Sequence, residues 1–180
     1  YEGSGEIAGG PRVFFTAGTQ ETAPDVGRGE MNLSPEGLAL FMETVDRLIN
    51  PSAPTIAWVS YHAADDEPHA DAAAVGFTQA PDIEYTDLLK AQGYNVVRVL
   101  TSQEPDVEFL NTMDLVIISR TASSGHYSGD GATAWNSVTA PLINLNGYTL
   151  RSSRMGFTTG GTMVDTIGDI SLAVTDPANP

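Results

Sequence analysis

The sequence predicts one α/β domain, doubly wound on a mainly parallel sheet. Three observations carry that expectation. Several short runs are apolar at consecutive positions, most plainly Leu115-Val116-Ile117-Ile118, which suits strands covered by helices on both faces. Strand-like and helix-like segments alternate regularly through the middle of the chain. At 180 residues and 41% hydrophobic content, there is material for one core and an extra element, whereas two full domains would be tight.

Residues 1–11 read as a glycine-rich linker. Arg12 to Thr16 is a short apolar strand, followed by a polar loop from Ala17 to Met31. A strong helix signal comes next: Ser34 as N-cap, Pro35 at the first helical position and Glu36 at the positive helix end. Leu38, Phe41, Met42, Val45, Leu48 and Ile49 then recur at three- and four-residue steps, until Asn50-Pro51 stops the helix. Residues 51–54 form a connector, so residues 12–50 stand as a strand-helix element ahead of the main domain at residues 55–180.

Thr55 to Tyr61 predicts a buried strand, running into a long acidic loop that ends near Ala80. Pro81 and Asp82 open a helix carrying Ile83, Leu88 and Leu89, which Gly93 closes with a left-handed cap. Strand Tyr94 to Leu100, a short helix from Pro105 to Leu110 and the strand Asp114 to Ser119 follow. Asp130 can cap a helix running through Trp135 to Val138, and Pro141 to Leu145 is a further strand. Beyond it, Tyr148 to Met155 is expected to make one helical turn and Ile170 to Val174 a last strand.

The formal net charge is -15, a field that repels phosphate backbones and anionic lipid and so excludes nucleic acid and membrane surfaces as partners. No apolar run is long enough to span a bilayer, so membrane insertion is not expected. The absence of cysteine removes disulfides, thiolate metal sites and a cysteine nucleophile together. An acidic, cysteine-free surface tolerates salt and attracts divalent cations, which fits an extracellular or cell-surface bacterial protein. The start at Tyr1 without methionine fits a piece processed or excised from a longer chain.

Thr55 to Tyr148 resembles the flavodoxin-like half of class I glutamine-amidotransferase-like domains, nearest to modules of large secreted bacterial proteins distantly related to the ThuA-like group. The resemblance rests on TIAWVSY with its acidic loop, YTDLLKAQGYNVVRV, DLVIISRTASSG and APLINLNGY, about half the chain. It implies a flavodoxin-like sheet. The element RVFFTAG to LSPEGLALFMETVDRLI is similar to the strand and helix that close such a module at its other end. It is thus either permuted onto its own sheet or exchanged with a neighbour. The amidotransferase nucleophile is a cysteine after the strand matching Leu142 to Leu145; here Asn146-Gly147-Tyr148 stands in that place, so glutaminase chemistry is not implied.

Two sets of candidate site residues emerge. Ser123, Ser124, Gly125, His126 and Tyr127 follow the apolar run, where parallel sheets bind ligands. They offer a hydroxyl near an imidazole, but the partners of a triad are not identifiable, and small residues there also serve a plain tight turn. Tyr127, Trp135 and Tyr148 can form an aromatic shelf for a sugar, or simply pack half-buried. With Asn146, these loops outline a ligand cleft. GHYSGDG lacks the lysine and spacing of a phosphate loop, which argues against nucleotide or flavin.

The second set is His62, Asp65, Asp66 and His69, whose donors suit zinc or calcium; in a chain this acidic the bland alternative is a solvated face. The expectation is a non-catalytic extracellular module for assembly with itself or neighbouring modules, or for glycan or surface binding. The alternatives are a hydrolase of a carbohydrate ester or amide using Ser124 or that metal, and a filament-forming subunit.

Overall fold

The computed structural model describes residues 10–14, 29–31, 33–48 and 54–162. Five strands, β1 (Arg12–Phe14), β2 (Thr55–Ser60), β3 (Asn95–Leu100), β4 (Leu115–Ile118) and β5 (Leu142–Asn144), form one sheet in the order β1-β5-β4-β2-β3. Every pairing is parallel. The apolar LVII run is the central strand and is buried throughout. Counted from β2, the order is that of a flavodoxin-like sheet, with the chain's first strand in the last place beside β5.

The helices are α1 (Pro35–Leu48), α2 (Ala70–Ala74), α3 (Ile83–Ala91), α4 (Val107–Leu110) and α5 (Asp130–Ser137). The two-residue period of the strands divides the core between two faces. Ile56, Trp58, Leu115, Ile117 and Ile143 pack with Phe41 and Val45 of α1 and Tyr85 and Leu89 of α3. Ala57, Val59, Val116, Ile118 and Leu142 pack with Leu110 of α4 and Trp135 of α5. Trp58 stacks on Tyr85 with centroids 5.5 Å apart, and Phe41 meets the same ring edge-on at 5.6 Å, so α1 and α3 are joined through one aromatic cluster.

The capping chemistry of α1 is as expected: Ser34 Oγ accepts from the Gly37 amide at 3.2 Å. Gly93 takes φ +91° and its amide reaches the Lys90 carbonyl at 2.9 Å, closing α3.

Elsewhere the structure corrects the sequence reading. The acidic stretch is not all loop, because Ala70-Asp71-Ala72-Ala73-Ala74 has enough alanine to form α2. Asp130 lies inside the first turn of α5 rather than capping it, and Gly129 at the cap position contributes no side chain. Ser124–Tyr127 and Gly147–Leu150 are 3-10 turns, the latter shorter than the turn expected over Tyr148 to Met155. The expected ends of β1 at Phe15 and Thr16 and of α1 at Ile49, and the strand Ile170 to Val174, lie outside the described residues.

Candidate binding site at the strand ends

The chain leaves β2 toward β3 on one side and later returns to β4 on the other. The carboxyl ends of β2 and β4 therefore flank the switch point where doubly wound sheets hold ligands. Here that point is filled from within. Asp82, 0% exposed, turns its carboxylate into the space instead of capping α3, and no cap hydrogen bond forms from it. Its Oδ2 accepts from Trp58 Nε1 at 3.0 Å, Ser60 Oγ at 2.9 Å, Ser119 Oγ at 2.6 Å and Thr121 Oγ1 at 3.1 Å. Its Oδ1 accepts from Arg98 Nη1 at 2.9 Å.

The same hydroxyls support the turns that leave the sheet. Ser60 Oγ accepts from the His62 amide at 3.1 Å, Thr121 Oγ1 from the Tyr61 amide at 3.3 Å, and Ser119 Oγ from the Thr121 amide at 3.2 Å. One buried charge thus orders the chain after both β2 and β4. Burial alone would push the Asp82 carboxyl up, but Arg98 and the bonds from Ser119 and Trp58 together outweigh it and hold it below 3.8. Gly29 backs onto this cluster at φ +85°, where a Cβ would stand 2.4 Å from Thr121 Cγ2.

Arg98 also pairs with Asp65, which accepts from Lys90 and from Thr86 Oγ1 at 3.0 Å. Partial burial opposes ionisation of Asp65, yet Lys90 and Arg98 hold its pKa below the usual value. Of the proposed metal set, Asp65 is thus engaged with two cations, while Asp66 next to it in sequence is exposed. His62 Nδ1 accepts from the His69 amide at 2.9 Å, and His69 Nδ1 accepts from the Asp71 amide at 3.3 Å as the N-cap of α2. Among the described residues no three His, Asp or Glu side chains converge to hold a metal ion. Tyr61, His62, His69, Asp71, Ala72, Pro81 and Thr121 enclose a pocket of about 60 Å³, room for about two waters. His62 is buried beneath it, and burial first, then Arg98 and His69, lower its pKa against the opposing pull of Asp82.

The other candidate set lies past the ends of β4 and β5. Tyr127 is buried and stacks on Trp135 with centroids 4.9 Å apart, so it belongs to the core and not to an exposed shelf. Trp135 is equally buried, which leaves Tyr148 as the accessible member of the three aromatics. His126 Nδ1 lies 3.3 Å from Thr101 Oγ1, whereas Ser124 Oγ accepts from Arg151 Nη2 at 3.1 Å; the hydroxyl and imidazole that are close in sequence engage different partners. Ser123 precedes this turn without a side-chain cap bond, and Gly125 is exposed at its surface. Asn146 is buried, donating to the Ala122 carbonyl at 2.6 Å and accepting from the Tyr148 amide at 3.1 Å, which ties the two turns together. Arg120 and Arg151 approach the Tyr148 ring at 5.2 and 5.3 Å from its centroid.

Comparison with family models, with curated proteins and with solved structures returns no match. The assignment of a flavodoxin-like α/β fold rests on the sheet order and on helices covering both faces. Sequence reasoning missed Asp82, Arg98, Arg120 and Arg151. The available signal for the first pair was Arg98 itself, a lone charge within the strand Asn95-Val96-Val97-Arg98-Val99-Leu100 that needs a counter-ion once its face is covered.

Proposed function

We propose that the chain is a non-catalytic module of an extracellular bacterial multidomain or polymeric protein, working by binding a glycan or surface or by assembly. The observation that carries this reading is the use of the switch point. Ser60, Ser119 and Thr121, the hydroxyls at the mouth of the sheet, are all committed to the buried Asp82 carboxylate. His126, the imidazole nearest Ser124 in sequence, lies against Thr101 Oγ1, while Ser124 Oγ meets Arg151, so the two do not pair as nucleophile and base. The finer resemblance to the ThuA-like group adds the expectation of a secreted host protein, and the acidic composition agrees with it.

The test pairs two assays on the purified chain. Chromogenic esters, amides and glycosides are incubated with it, and a glycan array is probed in parallel. Retention of particular glycans without turnover is the expected result. Turnover that Ser124→Ala abolishes would replace this reading with a hydrolase.

A further inference from the structure

The pocket of about 60 Å³ beside the switch point has a defined polarity. His62, 4% exposed, lies at its floor, and Asp71, whose side chain is 84% exposed, stands at its mouth. His62 Nδ1 accepts from the His69 amide at 2.9 Å, so the proton of the neutral imidazole sits on Nε2. Burial favours that neutral form. Nε2 has no hydrogen-bond partner among the described residues, yet it is not sealed in the core, so it faces the pocket as a donor. A metal ion on Nε2 would require the proton to move to Nδ1 and break the bond from His69.

The remaining walls are apolar or already engaged. Ala72 and Pro81 are buried and carry no polar side-chain atom, and the Thr121 hydroxyl is committed to Ser60, Ser119 and Asp82. A single donor between carbon walls suits a small carbonyl flanked by a methyl group. At about 30 Å³ per water the space is that of about two waters, close to the size of an acetyl group. An anion would meet Asp71 and no counter-charge in the lining. The rings of Tyr61 and His69 lie with centroids 3.9 Å apart at 35°, and neither residue is fully buried, so the pocket has a flat aromatic border. Such a border fits a sugar ring better than an extended side chain.

We propose that this pocket takes the acetamido group of an N-acetylated amino sugar. The carbonyl accepts from His62 Nε2–H, the methyl packs on Ala72 and Pro81, the amide N–H donates to the Asp71 carboxylate, and the sugar ring lies over Tyr61 and His69. The proposal rests on the binding reading above and narrows it to a ligand class.

The experiment follows the imidazole nitrogen and backbone amide signals of the full chain by NMR, titrated with N-acetylglucosamine, glucose and acetyl-lysine amide. N-acetylglucosamine is expected to shift the His62 Nε2 and Ala72 amide signals saturably, and glucose, which lacks the acetamido group, much less. His62→Asn keeps an acceptor where Nδ1 meets the His69 amide but deletes the Nε2–H, and should weaken binding of the acetylated sugar by about tenfold. Ala72→Leu fills the pocket without touching that bond and should abolish binding, which guards against misfolding of the asparagine variant. Equal response to glucose and N-acetylglucosamine would overturn the acetamido pocket while leaving a glycan-binding module intact. Tighter binding of acetyl-lysine amide would replace the sugar with an acetylated protein. No response to either acetamide, or a proton found on Nδ1, would remove the site, whereas glycans retained on the array would still support the broader reading.

Discussion

The substitution Asp82→Asn tests whether the buried carboxylate organises the strand ends. Arg98 faces Oδ1 at 2.9 Å, and Trp58 Nε1 faces Oδ2 at 3.0 Å. Neither partner can accept a hydrogen bond. The introduced amide therefore puts its NH₂ against one obligate donor whichever way it flips, although Ser60, Ser119 and Thr121 can rotate their hydroxyls to adapt. Removing one partner of a buried pair costs roughly 3–5 kcal/mol. In a chain of 180 residues that lowers Tm by roughly 6–20 °C.

The loss is also tied to pH. The folded pKa of Asp82 lies below 3.8, so its contribution is complete above that value and fades as pH falls through the lower folded pKa. Urea unfolding of both proteins at several pH values should show a gap that is full at pH 7 and narrows in acid, with unchanged m-values. A gap under about 1 kcal/mol at pH 7 would refute the reasoning, being no more than one ordinary hydrogen bond contributes. So would a gap that stays constant down through the acid range.

Three further outcomes are expected. Gly29→Ala meets both the positive φ and Thr121 Cγ2, and should destabilise the fold by at least about 1–3 kcal/mol in the same unfolding assay; a neutral effect would mean that the Gly29 segment does not seat on Asp82. Because the folded pKa of His62 lies below 6.5, its contribution to stability should be complete above pH 6.5 and decline as pH falls toward the folded value. An NMR titration placing His62 at or above 6.5 would contradict its burial. Deleting residues 1–50 removes β1 together with Phe41 and Val45, and should abolish cooperative unfolding through loss of the cover on one face of the sheet. A truncated chain that stays folded and loses only self-association in size-exclusion chromatography would instead favour exchange of this element between copies.

What was legible in the sequence was whatever depended on near neighbours. LVII and TIAWVS announced themselves because strands buried on both faces have no polar face to interrupt the run. Helix α1 was equally plain, since Ser34, Pro35 and a stripe through Phe41 and Val45 all lie within four turns. Asp82 does stand at the start of α3 as expected, but its inward role was not legible, because a polar residue after Pro81 looks the same whether its side chain caps the helix or turns inward. Only the sheet order, which brings Ser60, Arg98 and Ser119 to one point, separates the two. The arginines at Tyr148 were passed over for a related reason: Arg120, Ser124 and Arg151 meet across two turns that follow different strands.

The placement of β1 also sets a timetable for synthesis. Its partner Leu142 lies about 130 residues after Arg12, so the edge of the sheet cannot close until nearly all the described chain has emerged. At about 5–20 residues per second, β1 waits on the order of ten seconds for that pairing, while Phe41 and Val45 of α1 have only their earlier partners such as Trp58, Tyr85 and Leu89 to meet until β4 and β5 arrive. During that interval the nascent chain carries an amphipathic helix that a chaperone, or the same element on a neighbouring polysome, can capture. A version relinked so that β1 and α1 follow β5 would shorten that wait, and should reach the native state with less aggregation at the same final stability.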